Sequence, residues 1–258
     1  AYCLSLLADE RAAGTISKYR RDLTAFALWL DGRAVTKESA TAWKACLLNR
    51  DYAPRTVNSM LAAVNGFCRF AGLPIKLKFL SIQRQIFRDS AKELTKEEYD
   101  RLLTAARESD QERLALIMET LCATGIRVSE LRYITVEAAK AGRATITLKG
   151  KIRTILLPAK LCRKLVKYAR KQKTASGEIF LTKSGRPITR RQVWFELKRL
   201  CKAAGVEPTK VFPHNLRHLF ATTFYRACRD IVRLADMLGH SSIDTTRIYL
   251  MVSGAEQQ

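Results

Sequence analysis

The chain has 258 residues, enough for two small domains, and 47% of them are hydrophobic and can supply buried cores. Charged residues interrupt every apolar run before the roughly 20 residues that a membrane-spanning helix needs. The seven cysteines show no CxxC spacing, which argues against a disulfide framework or a zinc ribbon and indicates a reducing cytoplasm. Forty-six Lys and Arg residues against 24 Asp and Glu give a formal charge of +22, which favours a nucleic-acid partner over a basic protein that is merely very soluble.

The first part of the chain predicts a small helical bundle. Apolar residues in the segment 15–30 recur at steps of three and four, which places them on one face of a helix. Further helices are predicted at 36–49 and at 54–72, where Pro54 suits a first turn. No strand pattern precedes residue 75. We therefore assign residues 1–73 to one helical domain.

A second domain is predicted after a linker. Residues 74–94 mix basic and apolar residues without a sustained period, which is typical of a linker. Thr95 and Glu98 then form a capping box that opens a helix, and the segments ATITL and RTILL after Gly142 predict a β-hairpin. Other helices are expected before 123 and at 159–172, 189–204, 213–227, 230–238 and 242–250. The predicted fold is mainly α with a small β-hairpin, in two domains with the second at 95–258.

Three segments of the second domain carry residues suited to phosphate chemistry. In ATGIRVSEL, Arg127 is predicted in the first turn of a short helix, where its guanidinium can hold two phosphate oxygens and Glu130 can orient it. In HNLRHLFAT, His214 and Arg217 stand three residues apart on one helical face, while His218 is assigned to packing. Each of these residues alone would be interpreted as an ordinary surface or core residue.

The third segment is LGHSSIDTTRIY, which contains His240 and, nine residues later, Tyr249. Cleaving a DNA backbone without metal requires a nucleophile, cations or donors for the charge on the phosphorus, and an acid for the leaving oxygen. The sequence contains no HExxH, no tight carboxylate cluster and no GxxxxGK[ST] loop, so we expect no metal site and no cofactor.

These three segments, in this order, resemble the signature boxes of the tyrosine recombinase family, which includes phage, transposon and Xer-type integrases. The resemblance covers about residues 95–250, and the helical N-terminal region is similar to the core-binding domain of that family. It implies a site-specific recombinase that cleaves and rejoins duplex DNA through a 3′-phosphotyrosyl intermediate, without metal or ATP.

The resemblance implies a role for each matching residue. Arg127 and Arg217 match the arginines that hold the scissile phosphate, His214 and His240 match its histidine partners, and Tyr249 matches the nucleophile. Lys149, in the hairpin turn, matches the general acid that protonates the leaving 5′ oxygen. Lys151 lies two residues away, and the hairpin differs slightly in length from the family pattern, so the choice between these lysines stays open.

The resemblance also implies how the protein binds DNA and assembles on it. The two domains are expected to form a clamp around double-stranded DNA, with a dimer on each duplex and a homo-tetramer on two duplexes, in the cytoplasm at the nucleoid and not at a membrane. Accessory DNA-bending proteins are a further expectation, while the target sequence and the choice among integration, excision and dimer resolution stay open. The expected DNA contacts outside the catalytic residues are Arg55, Asn58, Arg69, Lys76, Lys78, Arg84, Arg88, Lys151, Arg190 and Arg191.

Three alternatives compete with this interpretation. An enzyme that only nicks and reseals DNA, such as a type IB topoisomerase or a hairpin-telomere resolvase, would use similar chemistry. A protein could also retain the fold and bind DNA without catalysis, or simply bind nucleic acid as a basic structural protein. The six residues matched to catalytic roles argue against the last two, because neither would need all of them.

Overall fold

The computed structural model describes residues 1–83, 90–148, 151–240 and 242–250. Contacts between Cα atoms divide the chain into two compact units, Ala1–Gln85 and Ile86–Gln258. The predicted fold class is confirmed, because both units are mainly helical and the second contains a two-stranded sheet. None of the helices in the described ranges is long and apolar enough to cross a membrane.

Within residues 1–83, the first unit contains the three predicted helices and one more. Its helices are α1 (Tyr2–Ala8), α2 (Ala13–Leu30), α3 (Lys37–Asn49) and α4 (Pro54–Phe70). The sequence did not predict α1, because the helix has only seven residues and buries a single side chain, Leu6. Such a short helix shows no hydrophobic period. A capping box at Thr36 and Ser39 begins α3, and Pro54 occupies the first turn of α4.

Aromatic and aliphatic side chains of α2, α3 and α4 form the core of the first unit. The rings of Phe26 and Trp43 lie 4.8 Å apart between centroids, and Val57 and Leu61 are fully buried beside them. Apolar burial of this kind contributes roughly 25 cal/mol per Å² and is what holds such a small bundle together.

The beginning of the segment 74–94 packs on α4. The side-chain amide of Asn65 donates to the carbonyl of Leu77 and accepts from its N–H, and Asn58 makes the same pair of bonds with Leu80. Leu77 is buried in the core of the first unit. Two asparagines thus satisfy backbone groups that no strand partner satisfies in this stretch of the chain.

The second unit contains eight α-helices and the hairpin in its described residues. These elements are α5 (Lys96–Glu108), α6 (Glu112–Thr124), α7 (Val136–Ala141), β1 (Arg143–Leu148), β2 (Lys151–Leu156), α8 (Ala159–Lys171), α9 (Arg190–Ala204), α10 (Pro213–Cys228), α11 (Ile231–Leu238) and α12 (Ile243–Thr246). Short 3₁₀ helices occupy Ser90–Lys92, Val128–Tyr133, Pro208–Lys210 and Arg247–Leu250.

The core of the second unit is built around α6. This helix is buried nearly all round, and Ile117 and Leu121 are fully inaccessible. The predicted capping box of α5 is present, because Thr95 and Glu98 each bond the backbone N–H of the other. The strands β1 and β2 pair antiparallel, with Ile146 opposite Arg153.

Helix α7 and the segment 242–250 also differ from the sequence predictions. Helix α7 was not predicted, since six residues give too short a pattern to recognise. The single helix expected at 242–250 is two pieces, α12 and the 3₁₀ helix Arg247–Leu250, which carries Tyr249.

Candidate active site

Arg217 lies at the centre of the site. It stands on α10 and is only 2% exposed. Its guanidinium donates to the carbonyl of Gly125, to the carbonyl of Leu238 at 2.8 Å and to Nε2 of His240 at 3.0 Å, and the Tyr249 side chain is another hydrogen-bond partner. Burial, together with other arginines nearby, lowers the pKa of Arg217. None of these four partners carries a full negative charge, so the cation can attract an anion.

His240 accepts from Arg217 and faces Thr246 on its other side. Because arginine has donors only, Nε2 of His240 is the acceptor and the ring proton belongs on Nδ1, which lies 2.9 Å from the hydroxyl oxygen of Thr246. Burial, and then the charges of Arg217, Arg127 and Arg153, lower the pKa of His240 to about 4. The imidazole is therefore neutral at neutral pH and presents an acceptor to the site.

Tyr249 is buried against the same group of residues. It is 7% exposed, its ring is stacked on that of His240 with 6.0 Å between centroids, and His218 lies 4.8 Å away on α10. The body of the ring belongs to a small apolar cluster with Phe220 and Leu234. The phenol thus has an apolar anchor, and its polar end meets Arg217.

Arg127 and Glu130 form a pair at the entrance to the 3₁₀ helix Val128–Tyr133. The prediction that Arg127 lies in the first helical turn was wrong, because the residue precedes the helix as its N-cap with extended backbone. The carboxylate of Glu130 accepts from the N–H of Arg127 at 2.7 Å and from its Nη1 at 3.0 Å. The backbone N–H of Arg127 is therefore used in local capping, while its side chain remains 42% exposed.

The structure brings two further polar groups to the site. Arg153 of β2 donates to Glu130 at 2.8 Å, and Thr246 holds the ring of His240. One sequence signal could have identified Arg153, because alternation along β2 puts it on the same side as the buried Ile155. No comparable signal marks Thr246, one polar residue among several in its segment.

Two glycines are required by the geometry around Arg217. Gly125 has φ +63°, and a Cβ there would lie 2.3 Å from the ring of Phe220. Gly239 has φ +64°, and a Cβ there would lie 2.0 Å from Nη1 of Arg153. Both positions end helices in the left-handed region and adjoin site residues, which explains these two glycines in ATGIR and LGH.

The remaining predicted site residues differ in their placement. His214 is exposed on α10, one turn from Arg217, and is one of the groups that lower the pKa of His240. His218, assigned to packing from the sequence, is 5% exposed beneath Tyr249. Lys149 lies outside the described residues, and Lys151 begins β2.

The expected DNA contacts are mostly surface charges. The side chain of Asn58 is only partly exposed, and both polar groups of its amide bond the backbone of Leu80. Arg84 and Arg88 lie outside the described residues. The exposed residues of the set are Arg55, Arg69, Lys76, Lys78, Arg190 and Arg191.

Comparison with known proteins identifies the family. Residues 92–256 match the model of the Phage integrase family, and residues 2–72 match that of the Phage integrase N-terminal SAM-like domain. The chain therefore belongs to the phage integrase family of tyrosine recombinases. It is a site-specific DNA recombinase, an enzyme of the class that cleaves and rejoins DNA through a phosphotyrosine intermediate.

Individual proteins show the same similarity. The tyrosine recombinase XerA of Pyrococcus furiosus is 31% identical over 252 residues, which cover 95% of this chain and 86% of the relative. The fold resembles that of XerH bound to its difH substrate before cleavage, with a TM-score of 0.74 and 18% identity over 97% of this chain and 80% of that one. A lambda integrase tetramer bound to a Holliday junction gives a TM-score of 0.74 and 18% identity, covering 96% of this chain and 74% of that one.

Proposed function

We propose that Tyr249 is the nucleophile and that it attacks a DNA phosphate held by Arg127 and Arg217. The observation that carries this proposal is that the Tyr249 side chain is a hydrogen-bond partner of Arg217 and stacks on His240 within one chain. Attack of the phenolic oxygen on phosphorus forms the phosphotyrosyl ester and breaks the bond to the 5′ oxygen, which leaves as a hydroxyl after it gains a proton. The reverse attack by another 5′ hydroxyl rejoins the strands and releases the tyrosine.

The arginines supply the charge that the phosphate requires. Arg217 is buried and held by two main-chain carbonyls, so its donors are fixed before the substrate arrives. Arg127 is fixed at its backbone by Glu130 and keeps an exposed guanidinium. Donors that are oriented in advance stabilise a developing negative charge, each by about 2–4 kcal/mol, because they need no reorganisation during the reaction.

The histidines are proposed as partners of the same phosphate and of the transferred proton. Nε2 of His240 is an acceptor in the free protein, and its pKa of about 4 keeps the imidazole neutral. We propose that it receives the phenolic proton once the negative charge of a bound phosphate raises that pKa. His214 is exposed one helical turn from Arg217, where it can bond a phosphate oxygen.

Lys149 is proposed as the general acid for the leaving 5′ oxygen. It lies in the sequence between β1 and β2, which the resemblance to the family matches to the acid. Lys151, the first residue of β2, is the alternative. We propose that neither metal nor ATP takes part, since the ester conserves the energy of the broken bond.

The partners are proposed from the charge of the chain and from its relatives. We propose that residues 1–73 bind double-stranded DNA as a core-binding domain, that 74–94 link the domains, and that 95–258 form the catalytic half of a clamp. XerH is bound to its difH substrate, and lambda integrase forms a tetramer bound to a Holliday junction. We propose the same for this chain: a dimer on each duplex, a homo-tetramer on two, action at the nucleoid in the cytoplasm, and accessory DNA-bending proteins as additional partners.

A covalent trapping experiment tests the proposal. A library of nicked duplexes is incubated with the protein, and DNA attached to it after denaturation is recovered and sequenced. We expect an adduct with the wild-type chain and none with Tyr249→Phe, while Tyr225→Phe, on the same unit, still forms it. Adduct formation by Tyr249→Phe would overturn the assignment. Strand exchange between two recovered duplexes then separates a recombinase from an enzyme that only nicks and reseals.

A further inference from the structure

We propose that Arg153 is a positioning residue that holds the two sides of the phosphate site together. On one side it bonds Glu130, which holds Arg127, and on the other it bonds the end of α11, which leads to His240. The proposal rests on the roles proposed above for Arg127 and His240. It assigns a function to a residue that the sequence analysis placed only in the predicted β-hairpin.

The contact with Glu130 sets how much of the Arg127 charge is available to DNA. The Glu130 carboxylate is 1% exposed and accepts from Arg153 Nη2 at 2.8 Å and from Arg127 Nη1 at 3.0 Å. Two guanidinium groups therefore share one buried carboxylate. If Arg153 were removed, Glu130 would rely on Arg127 alone, and a buried carboxylate with one partner would bind that guanidinium more strongly and compete with phosphate for it.

The contact with α11 fixes the turn that leads to His240. Nη1 of Arg153 donates to the carbonyl of Met237 at 3.2 Å, one of the carbonyls that a helix end leaves without an internal partner. Gly239 packs so closely on the guanidinium that a Cβ would overlap it. The guanidinium of Arg153 thus packs against the chain at Gly239, one residue before His240.

The burial and the contacts of Arg153 differ from those expected of a surface charge that binds DNA. Its side chain is 16% exposed, and it lies on the side of β2 that also carries the buried Ile155, whereas Ile152 is 73% exposed on the opposite side. Burial lowers the pKa of Arg153 while Glu130 opposes that effect, and an arginine remains charged in either case. Its hydrogen bonds are directed at protein groups on both sides of the site.

The first test compares cleavage with DNA binding in the full-length chain. The variants are R153M, R153K and the control R143M, which removes an exposed charge from β1 of the same hairpin. Single-turnover adduct formation on a nicked duplex recovered by trapping is measured together with the Kd for that duplex and the thermal midpoint. We expect R153M to slow cleavage about 100-fold with Kd changed less than about threefold, and R143M to cleave at the wild-type rate.

The variant R153K provides a second test of the positioning role. A lysine ammonium is a single point donor and cannot hold Glu130 and Met237 as the guanidinium fork does, so we expect about a tenfold loss of rate and a partial rescue relative to R153M. Wild-type cleavage by a folded R153K or R153M would overturn the proposal. If R153M does not fold because Glu130 has lost a cation, the double variant E130Q/R153M and R153K are judged by the same criterion.

A spectroscopic measurement separates positioning from general damage. Histidine ring ¹³C labels are titrated by NMR in the free protein, and the His240 signal is assigned with the variant H240N. The charges acting on His240 are those of Arg217, Arg127, Arg153 and His214. We expect R153M to raise the pKa of His240 and R143M to leave it unchanged; an unchanged His240 titration in R153M would contradict the proposal.

The outcomes also distinguish this proposal from the proposed function. If the wild-type chain forms no covalent adduct at Tyr249, the proposed function fails. If the wild type forms the adduct and the Arg153 variants cleave as it does, only the positioning role fails.

Discussion

The guanidinium of Arg217 donates a hydrogen bond over 3.0 Å to Nε2 of His240, two residues that are 23 positions apart in the sequence. The contact makes the imidazole an acceptor and, with burial, keeps it neutral. The charge of Arg217 therefore helps to set the protonation state of the His240 ring.

The pH dependence of stability should report the buried His240. Its pKa is about 4 in the folded chain against an ordinary value of 6.5, so between these values the unfolded chain binds the proton more readily. The contribution of His240 to the free energy of unfolding is therefore fully present above about pH 6.5 and is lost as the pH falls to about 4. We expect a loss on the order of 1–2 kcal/mol, reduced by solvent screening of a partly exposed ring.

Chemical denaturation at a series of pH values measures this effect. Because many carboxylates titrate in the same range, the quantity to compare is the difference between the wild type and H240N, which has no titrating ring. The wild type should lose stability relative to H240N below pH 6.5. Parallel profiles for the two chains would contradict the lowered pKa.

Tyr249→Phe should separate chemistry from packing. The ring packs in the apolar cluster with Phe220 and Leu234, and phenylalanine preserves that packing. Only the hydrogen bond with Arg217 is lost, so we expect the free energy of unfolding to fall by about 1 kcal/mol, against about 3–5 kcal/mol for Tyr249→Ala. Urea unfolding measures both. Equal losses for the two variants would mean that the ring is not packed as described.

Gly239→Ala should destabilise the chain more than the matched variant Gly142→Ala. Both glycines end helices with positive φ, at +64° and +69°, so both substitutions cost about 1 kcal/mol of backbone strain. A Cβ at Gly142 meets open space, whereas one at Gly239 meets the guanidinium of Arg153. We expect a further loss of about 1–3 kcal/mol at Gly239. Thermal or urea unfolding measures the difference, and indistinguishable losses would exclude the close contact.

Asn58→Ala tests whether this residue supports the fold or contacts DNA. Its amide bonds both backbone groups of Leu80, and their loss should lower the stability by about 1–3 kcal/mol. Arg55→Ala, at an exposed position on the same helix, should leave stability nearly unchanged and weaken DNA binding with a smaller salt dependence. Unfolding and salt-dependent binding are measured for both. Undiminished stability of Asn58→Ala would assign the residue to DNA instead.

A substrate with a better leaving group should discriminate between the two lysines. Lys149→Ala is expected to slow cleavage of ordinary DNA by about 100- to 1,000-fold, because the leaving 5′ oxygen lacks its acid. A duplex with sulfur at the bridging 5′ position needs no acid, so Lys149→Ala should cleave it nearly as fast as the wild type. Lys151→Ala serves as the comparison and should cleave both substrates normally. The reverse pattern would assign the acid to Lys151.

Local patterns in the sequence were sufficient for most of the fold. The periods of α2 and α4, the capping box of Thr95 and Glu98, and the β-branched runs of the hairpin depend on neighbours within a few positions, so they are visible without the tertiary structure. Short elements such as α1 and α7 lack enough residues to show a period. The family, too, was evident from three short segments in order, and the family match confirms it.

The sequence by itself determined which residue types are present for phosphate chemistry, but tertiary structure decided how they meet. Arg217 bonds the carbonyl of Gly125, 92 positions away, and Arg153 bonds that of Met237, 84 positions away. Such contacts arise when packed helices bring distant segments together, and no local period encodes them. For the same reason the neutral state of His240 could not be read from the sequence, since it results from burial and from charges that only the fold gathers around it.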